Sequence, residues 1–249
     1  NLHAYVDKGV AAIYVNAKSV TFTQDRLMSK SEDELASYYC LLAESVEVAD
    51  DFSWVNYTLR ENARWHDGQP VTVEDALWTF KTVKDGPSLY WKNIYRDFAS
   101  MEQTGPRSFK FIFTEESKKG IQLAIQTTSY LIQPKHYWTE TDAQVNPVRN
   151  FAETTLDPPL GNGPYKITEV DPGHNFILER VEDYWGKDLN VRVGQHNFDK
   201  IKVMYFFDLG VMRLALKAGV VDYFREQDEK MVATAYDFPA LHNGLFQKE

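Results

Sequence analysis

The chain has 249 residues, enough for one large domain or two small ones, and its 43% hydrophobic and 25% charged residues speak against intrinsic disorder. A formal net charge of −9, with Lys and Arg scattered rather than clustered, speaks against nucleic acid and anionic membrane surfaces as partners. No apolar run reaches the roughly 20 residues of a membrane helix, and no signal peptide is legible, so a secreted form would have had its leader removed.

In chain order, residues 1–40 carry the fewest signals: an apolar run at 11–15 and a polar, acidic loop or helix start at 29–34. The single cysteine, Cys40, sits in an apolar run and reads as packing filler rather than a reactive thiol. Residues 52–60 are rich in β-branched and aromatic side chains and predict a strand. Asp67-Gly68 with Pro70 marks a turn. Thr72 and Asp75 then predict a capping box, followed by a helix whose apolar residues Ala76, Leu77, Phe80 and Val83 keep helical spacing. Gly86-Pro87 stops that helix, and 88–95 reads as a loop unusually dense in rings.

Further on, Phe109, Phe111 and Phe113 alternate as in a half-buried strand, and 120–128 and 134–138 read as short helices. The Pro- and Thr-rich span 146–159 reads as a connection, and 161–164 as a tight turn. Strands at 165–170 and 176–181 flank the reversal Asp171-Pro172-Gly173. A strand at 201–207, a helix at 211–218 and a strand at 220–224 predict a βαβ-like unit. The order of elements predicts an α/β (mixed α+β) fold.

Few constellations carry chemistry. His66-Asp67-Gly68 has no second histidine nearby in sequence and reads as a turn rather than a metal site. Gly161-Asn162-Gly163 precedes a proline and opens no helix, so it reads as a turn rather than a phosphate cradle. No Gly-x-Ser-x-Gly elbow exists. The paired carboxylates Glu44/Glu47, Asp50/Asp51, Glu74/Asp75 and Glu182/Asp183 read as solvated surface, although a glycosidase would need such a pair across a cleft. Asn56-Tyr57-Thr58 matches a glycosylation pattern but falls inside a predicted strand. That leaves Tyr90, Trp91 and Tyr95, which serve either as a lid on the core or as a ligand wall, since Tyr and Trp combine apolar area with a polar handle.

The run Leu42-Ala43-Glu44-Ser45-Val46, Phe52-Ser53-Trp54, Tyr57 to Arg60 and Ala63-Arg64-Trp65-His66-Asp67-Gly68-Gln69-Pro70-Val71-Thr72 with Glu74-Asp75 resembles bacterial extracellular solute-binding proteins of family 5. Pro159 to Tyr165, Arg180 to Gly186, Phe198-Asp199-Lys200-Ile201 and Leu216-Lys217-Ala218-Gly219 with Val221-Asp222 continue the resemblance in the family's order. The segments 191–197 and 233–240 look most like its Yej-type branch, associated with oligopeptides and microcin C.

The resemblance implies a periplasmic binding protein class II-like lobe with a mixed sheet. Residues 1–40 and 159–249 would form its main sheet and 41–158 a smaller α+β subdomain, with the second lobe absent. It implies a periplasmic, monomeric, non-enzymatic receptor of the kind that binds dipeptides, oligopeptides or nickel, here binding peptide and delivering it to an ABC transporter permease, while the residues themselves suggest no cofactor and no metal. The matching positions make Tyr90, Trp91, Tyr95 and Met28 the candidate ligand-binding residues, Met28 within the cleft-facing stretch 26–29. The alternatives are a carbohydrate-active hydrolase and a sensor or chaperone-like binding protein.

Overall fold

The computed structural model describes residues 2–5, 22–31, 33–117, 120–226 and 228–244; the apolar run 11–15 lies outside them. The chain divides into two compact units, one of residues 1–172 with 176–203 and one of 173–175 with 204–249.

The first unit is built on a four-stranded antiparallel sheet of β3 (Ala43–Val48), β4 (Trp54–Leu59), β5 (Phe98–Gln103) and β6 (Ser108–Phe113), in spatial order β3-β4-β6-β5. Alternation sets its inner face. Val55, Tyr57 and Leu59 of β4 and Phe109, Phe111 and Phe113 of β6 are buried, while their neighbours are half-buried. Val55 lies opposite Phe111 and Tyr57 opposite Phe109, so the two strands supply one continuous aromatic layer.

Helix α1 (Val73–Asp85) covers that layer with Ala76, Thr79, Phe80 and Val83. Phe80 meets Phe111 edge-on at 6.2 Å between centroids. The predicted capping box is present: Thr72 Oγ1 accepts from the Asp75 N–H at 3.1 Å, and Asp75 Oδ2 accepts from the Thr72 N–H at 2.9 Å. Gly86 ends the helix. Helices α3 (Ile121–Thr128) and α4 (Lys135–Trp138) fall where the sequence placed them. Asp75 ties α4 to α1, accepting from the Lys135 N–H at 2.8 Å with its second oxygen.

The 88–95 segment is a correction. Residues Leu89–Ile94 form helix α2, begun by Ser88, whose Oγ accepts from the Trp91 N–H at 3.4 Å. Six residues are too few for a periodic apolar signal, and the sequence betrays the helix only through its cap. A two-stranded ribbon, β1 (Met28–Lys30) and β2 (Tyr38–Cys40), also went unread; Met28 pairs with Cys40. Cys40 is half-buried.

A three-stranded sheet follows: β7 (Tyr165–Asp171), β8 (Asn175–Arg180) and β9 (Lys200–Met204), in that order. Gly173 adopts φ +85° in the reversal between β7 and β8.

The Gly161-Asn162-Gly163 turn joins distant parts of the first unit. The Asn162 and Gly163 N–H groups both donate to the Thr23 carbonyl, at 3.1 and 2.9 Å. Asn162 Oδ1 accepts from the Asp25 N–H, and His66 donates from Nε2 to the Gly163 carbonyl at 2.8 Å. A Cβ at Gly161 would stand 2.1 Å from the Thr23 carbonyl oxygen. Close backbone approach, rather than phosphate, accounts for these glycines.

In the second unit, α5 (Leu209–Lys217), α6 (Glu229–Thr234) and α7 (Pro239–His242) are short. The predicted strand at 220–224 is not formed. Gly219 takes φ +72° and the Val220 N–H returns to the Ala215 carbonyl at 2.9 Å, closing α5 with a Schellman motif. The β-branched pair Val220-Val221 therefore serves a helix end, and the βαβ-like expectation fails with it. The strand expected at 201–207 stops at Met204.

Candidate functional site

The candidate residues sit on two short elements. Tyr90 and Trp91 lie on α2, Tyr95 caps its C-terminus, and Met28 opens β1. Tyr90 is 58% exposed, and Trp91 is half-buried. Their rings meet edge-on at 5.1 Å between centroids. Trp91 also stacks toward Tyr95 at 6.2 Å with the planes 29° apart.

Tyr95 itself is buried, with Phe80 at 5.6 Å and Phe98 at 5.3 Å. Burial drives its hydroxyl well above the usual phenol range. The ring thus braces α2 from behind, against the aromatic layer of the sheet. Met28 is half-buried against the same core, to which Trp91 also packs.

One residue that sequence reasoning missed packs behind α2. Tyr5 is buried, its hydroxyl donating to the Leu131 carbonyl at 2.7 Å. Its ring stands edge-on to Trp91 at 4.7 Å. The charge of Arg26, two residues before Met28, acts on the same hydroxyl, and Arg26 is exposed. Tyr5 therefore packs against the indole of α2, within electrostatic reach of Arg26. A four-residue stretch such as 2–5 offers no periodicity from which this could be read.

The same N-terminal stretch lays His3 among rings, 4.6 Å from Trp138 and 4.5 Å from Phe151. His3 is fully buried, and burial pulls its imidazole down to about 4. Trp78 joins Phe151 edge-on at 5.2 Å.

Chemically the site offers ring faces, one exposed cation and one donor. The Trp91 indole N–H is buried without a hydrogen-bond partner, a group whose desolvation typically costs about 1–3 kcal/mol. Among the described residues no group of three or more His, Cys, Asp or Glu is placed to hold a metal ion. His136 does approach Asp67, at 2.9 Å, a proximity that a separation of 69 positions hid from the sequence. An aromatic wall of this kind binds by apolar and stacking contact, with little directional demand on its guest.

Comparison with known proteins reaches the whole arrangement. The profile described as bacterial extracellular solute-binding proteins, family 5 Middle, matches residues 37–248. A protein of Agrobacterium fabrum named "Probable peptide-binding protein YejA" is 39% identical over 234 residues, covering 94% of this chain and 37% of that protein. Two solved structures share the fold. The oligopeptide-binding protein AppA of Bacillus subtilis, in complex with a nonapeptide, superposes with a TM-score of 0.70 at 19% identity, over 95% of this chain and 44% of AppA. MoaA from A. tumefaciens R10, in complex with mannopinic acid, gives 0.71 at 19%, over 94% of this chain and 45% of MoaA. The chain spans little more than a third of the length of the curated relatives it matches.

Proposed function

The chain belongs to family 5 of the bacterial extracellular solute-binding proteins, in its Yej-type branch, and from that premise we propose that it is part of the first lobe of a periplasmic receptor that binds oligopeptides for an ABC importer. Tyr90 and Trp91 form the ligand wall, Tyr95 braces it, and Met28 with its neighbour Arg26 lines the adjoining stretch. The observation that carries this reading is the exposed Tyr90 beside an indole whose buried N–H has no partner. A peptide supplies what the exposed ring lacks: apolar side chains to cover it, while its backbone adds strand-like hydrogen bonds.

The name of the Agrobacterium relative supports peptide as the ligand class, and mannopinic acid in MoaA marks the breadth to be tested. The chemistry is recognition, with no catalytic step. We assign 41–158 to a smaller subdomain and 1–40 with 159–249 to the main sheet; the four-stranded sheet falls inside the first range and the three-stranded one inside the second. Delivery to a membrane permease, a monomeric state and microcin C as a ligand belong to the same proposal.

The aromatic wall alone should hold short peptides weakly, at millimolar affinity, since its few contacts offset little more than the cost of association and side-chain ordering. The test is calorimetry and tryptophan fluorescence with short peptides, on the native chain and on Trp91→Phe. A weak saturable response that Trp91→Phe reduces is expected. Micromolar or tighter binding would refute the half-site reading. An equal response to oligosaccharides, or none distinguishable from the variant, would overturn the peptide assignment.

A further inference from the structure

The loop between β8 and β9 carries a second feature, separate from the aromatic wall. A cleft of about 270 Å³ opens beside it, lined by Arg180, Glu182, Tyr184, Lys187, Arg192 and His196 among others. Its floor is an ordered polar network. Asp25, whose side chain is wholly inaccessible, accepts from the Tyr184 hydroxyl at 2.6 Å and from Arg192 Nη2 at 2.7 Å. Burial raises the Asp25 carboxyl, while the Arg192 charge and the Tyr184 hydrogen bond oppose that rise.

With Arg192 held there, three groups lining the cleft remain unspent. Arg192 Nε and His196 Nε2 are both buried without a hydrogen-bond partner among the described residues. Lys187 is exposed and forms an ion pair with no acid among the described residues. By contrast Arg180 is committed, to Asp199 at 2.6 Å and, less closely, to Glu182 at 3.5 Å. Folded proteins leave few buried donors unsatisfied, and each one asks what fills its place. Both nitrogens have essentially no accessible surface as they stand, so an anion with more than one oxygen meets the unpaired Lys187 ammonium directly and reaches them with a small shift of the Arg192 and His196 side chains.

The backbone agrees. His196 holds φ +59°, a left-handed conformation uncommon outside glycine, though histidine is among the residues that adopt it more readily, and one that recurs at ligand clamps. Burial and then the Arg192 charge pull its imidazole down to about 4, so near neutral pH the ring is uncharged and offers either a donor or an acceptor. Size also constrains the occupant. The cleft falls below the 300–1,000 Å³ typical of drug-sized ligands, yet exceeds the roughly 30 Å³ share of one water several times over.

We propose that this cleft is a binding site for a small oxyanion, a carboxylate or a phosphate, held by Arg192 Nε, His196 Nε2 and Lys187. It is independent of peptide binding at Trp91. The anion accepts from the two buried nitrogens, selects the imidazole tautomer with hydrogen on Nε2, and neutralises Lys187.

The test is side-chain ¹H–¹⁵N NMR of the histidines in the 249-residue chain, titrated separately with inorganic phosphate and with acetate at constant ionic strength. The His196 ring signals should shift saturably at millimolar concentration. His196→Asn, which tolerates the left-handed backbone, should weaken binding about fivefold when followed through the Lys187 and Arg192 side-chain signals. Lys187→Gln, at an exposed position that cannot endanger folding, should weaken it about threefold. Response to phosphate alone, acetate alone or both would identify the oxyanion class. No saturable shift with either anion, or saturation unchanged in both variants, would mean that the cleft holds water only and would overturn the proposal.

Discussion

The four-stranded sheet with helix α1 and the unit of residues 204–249 use similar side chains to different ends. In the sheet, Tyr57, Phe98, Phe109 and Phe111 are all within 1% of complete burial. In the other unit, Phe207 is 95% exposed, Tyr223 73% and Leu214 66%, and α5 buries only Met212 and Leu216. Apolar composition alone therefore does not make a core. What distinguishes the sheet is that its period-two pattern meets a helix with a matching apolar face, so that rings find rings. The 204–249 unit has short helices and no sheet of comparable extent, and its order rests more on polar contacts. Arg213 Nε lies 2.6 Å from Glu226, and Tyr236 donates to the same carboxylate at 2.9 Å.

That contrast breaks most visibly under truncation. Phe111→Ala removes a ring that touches Phe80, Phe98 and Tyr130, and it should cost about 3–5 kcal/mol in a urea titration. Phe207→Ala, with the same chemistry on a side chain already in water, should stay within about 0.5 kcal/mol. Comparable losses at both positions would show that Phe207 is covered in solution and would undo the comparison.

Acid should separate the regions by pH. The folded His3 imidazole lies near 4 against 6.5 for an unconstrained one. Above 6.5 both states are neutral and nothing is lost; between 6.5 and 4 the unfolded chain takes up a proton that the folded chain refuses. Stability of the first unit should therefore fall over that window, by up to about 3 kcal/mol, and His3→Asn should flatten the slope. Glu226 acts in the same direction over a lower window. Hydrogen bonding to Arg213 holds its carboxyl at about 2, so its contribution is intact above 4.5 and disappears only as pH falls from there toward 2. Circular dichroism at stepped pH, with and without His3→Asn, checks the order of the two losses.

Gly161→Ala should follow, at about 1–3 kcal/mol, because its Cβ meets backbone that cannot swing aside. Gly173→Ala, where nothing lies within 4 Å of a Cβ, would isolate the cost of a positive φ from that of collision. Chemical denaturation midpoints of the two variants make the comparison.

How much of this was legible follows the same division. Strands β4 and β6, the Thr72 cap and the turns at 68 and 173 were readable because each is set by residues adjacent in sequence. The family resemblance likewise rested on strand, turn and capped helix. Helix α2 was hidden by its length, and the strand expected at 220–224 was lost because Val220 has its N–H committed to a helix end. At the candidate site, Tyr90 and Trp91 stood out as an aromatic cluster. The Tyr5 contact, the Asp25–Arg192 pair 167 residues apart and the unpartnered nitrogens of the β8–β9 loop exist only in three dimensions.

The smallest test concerns helix starts, where the two regions are built most alike. Thr72 caps α1 reciprocally with Asp75, and Asp208 caps α5 through one bond, accepting from the Val211 N–H at 2.8 Å. Thr72→Ala should cost about 1 kcal/mol, because it strands the Asp75 N–H at the entry to a 13-residue helix packed on the core. Asp208→Ala should cost no more, and less if the exposed nine-residue α5 frays locally instead of unfolding the chain. Urea titration reads the global loss and amide hydrogen exchange the local one. Loss of protection confined to 209–217 in Asp208→Ala, beside a global loss in Thr72→Ala, is the expected pair. A global loss from both would mean that the helix of the open region is coupled to folding as tightly as the helix of the closed one.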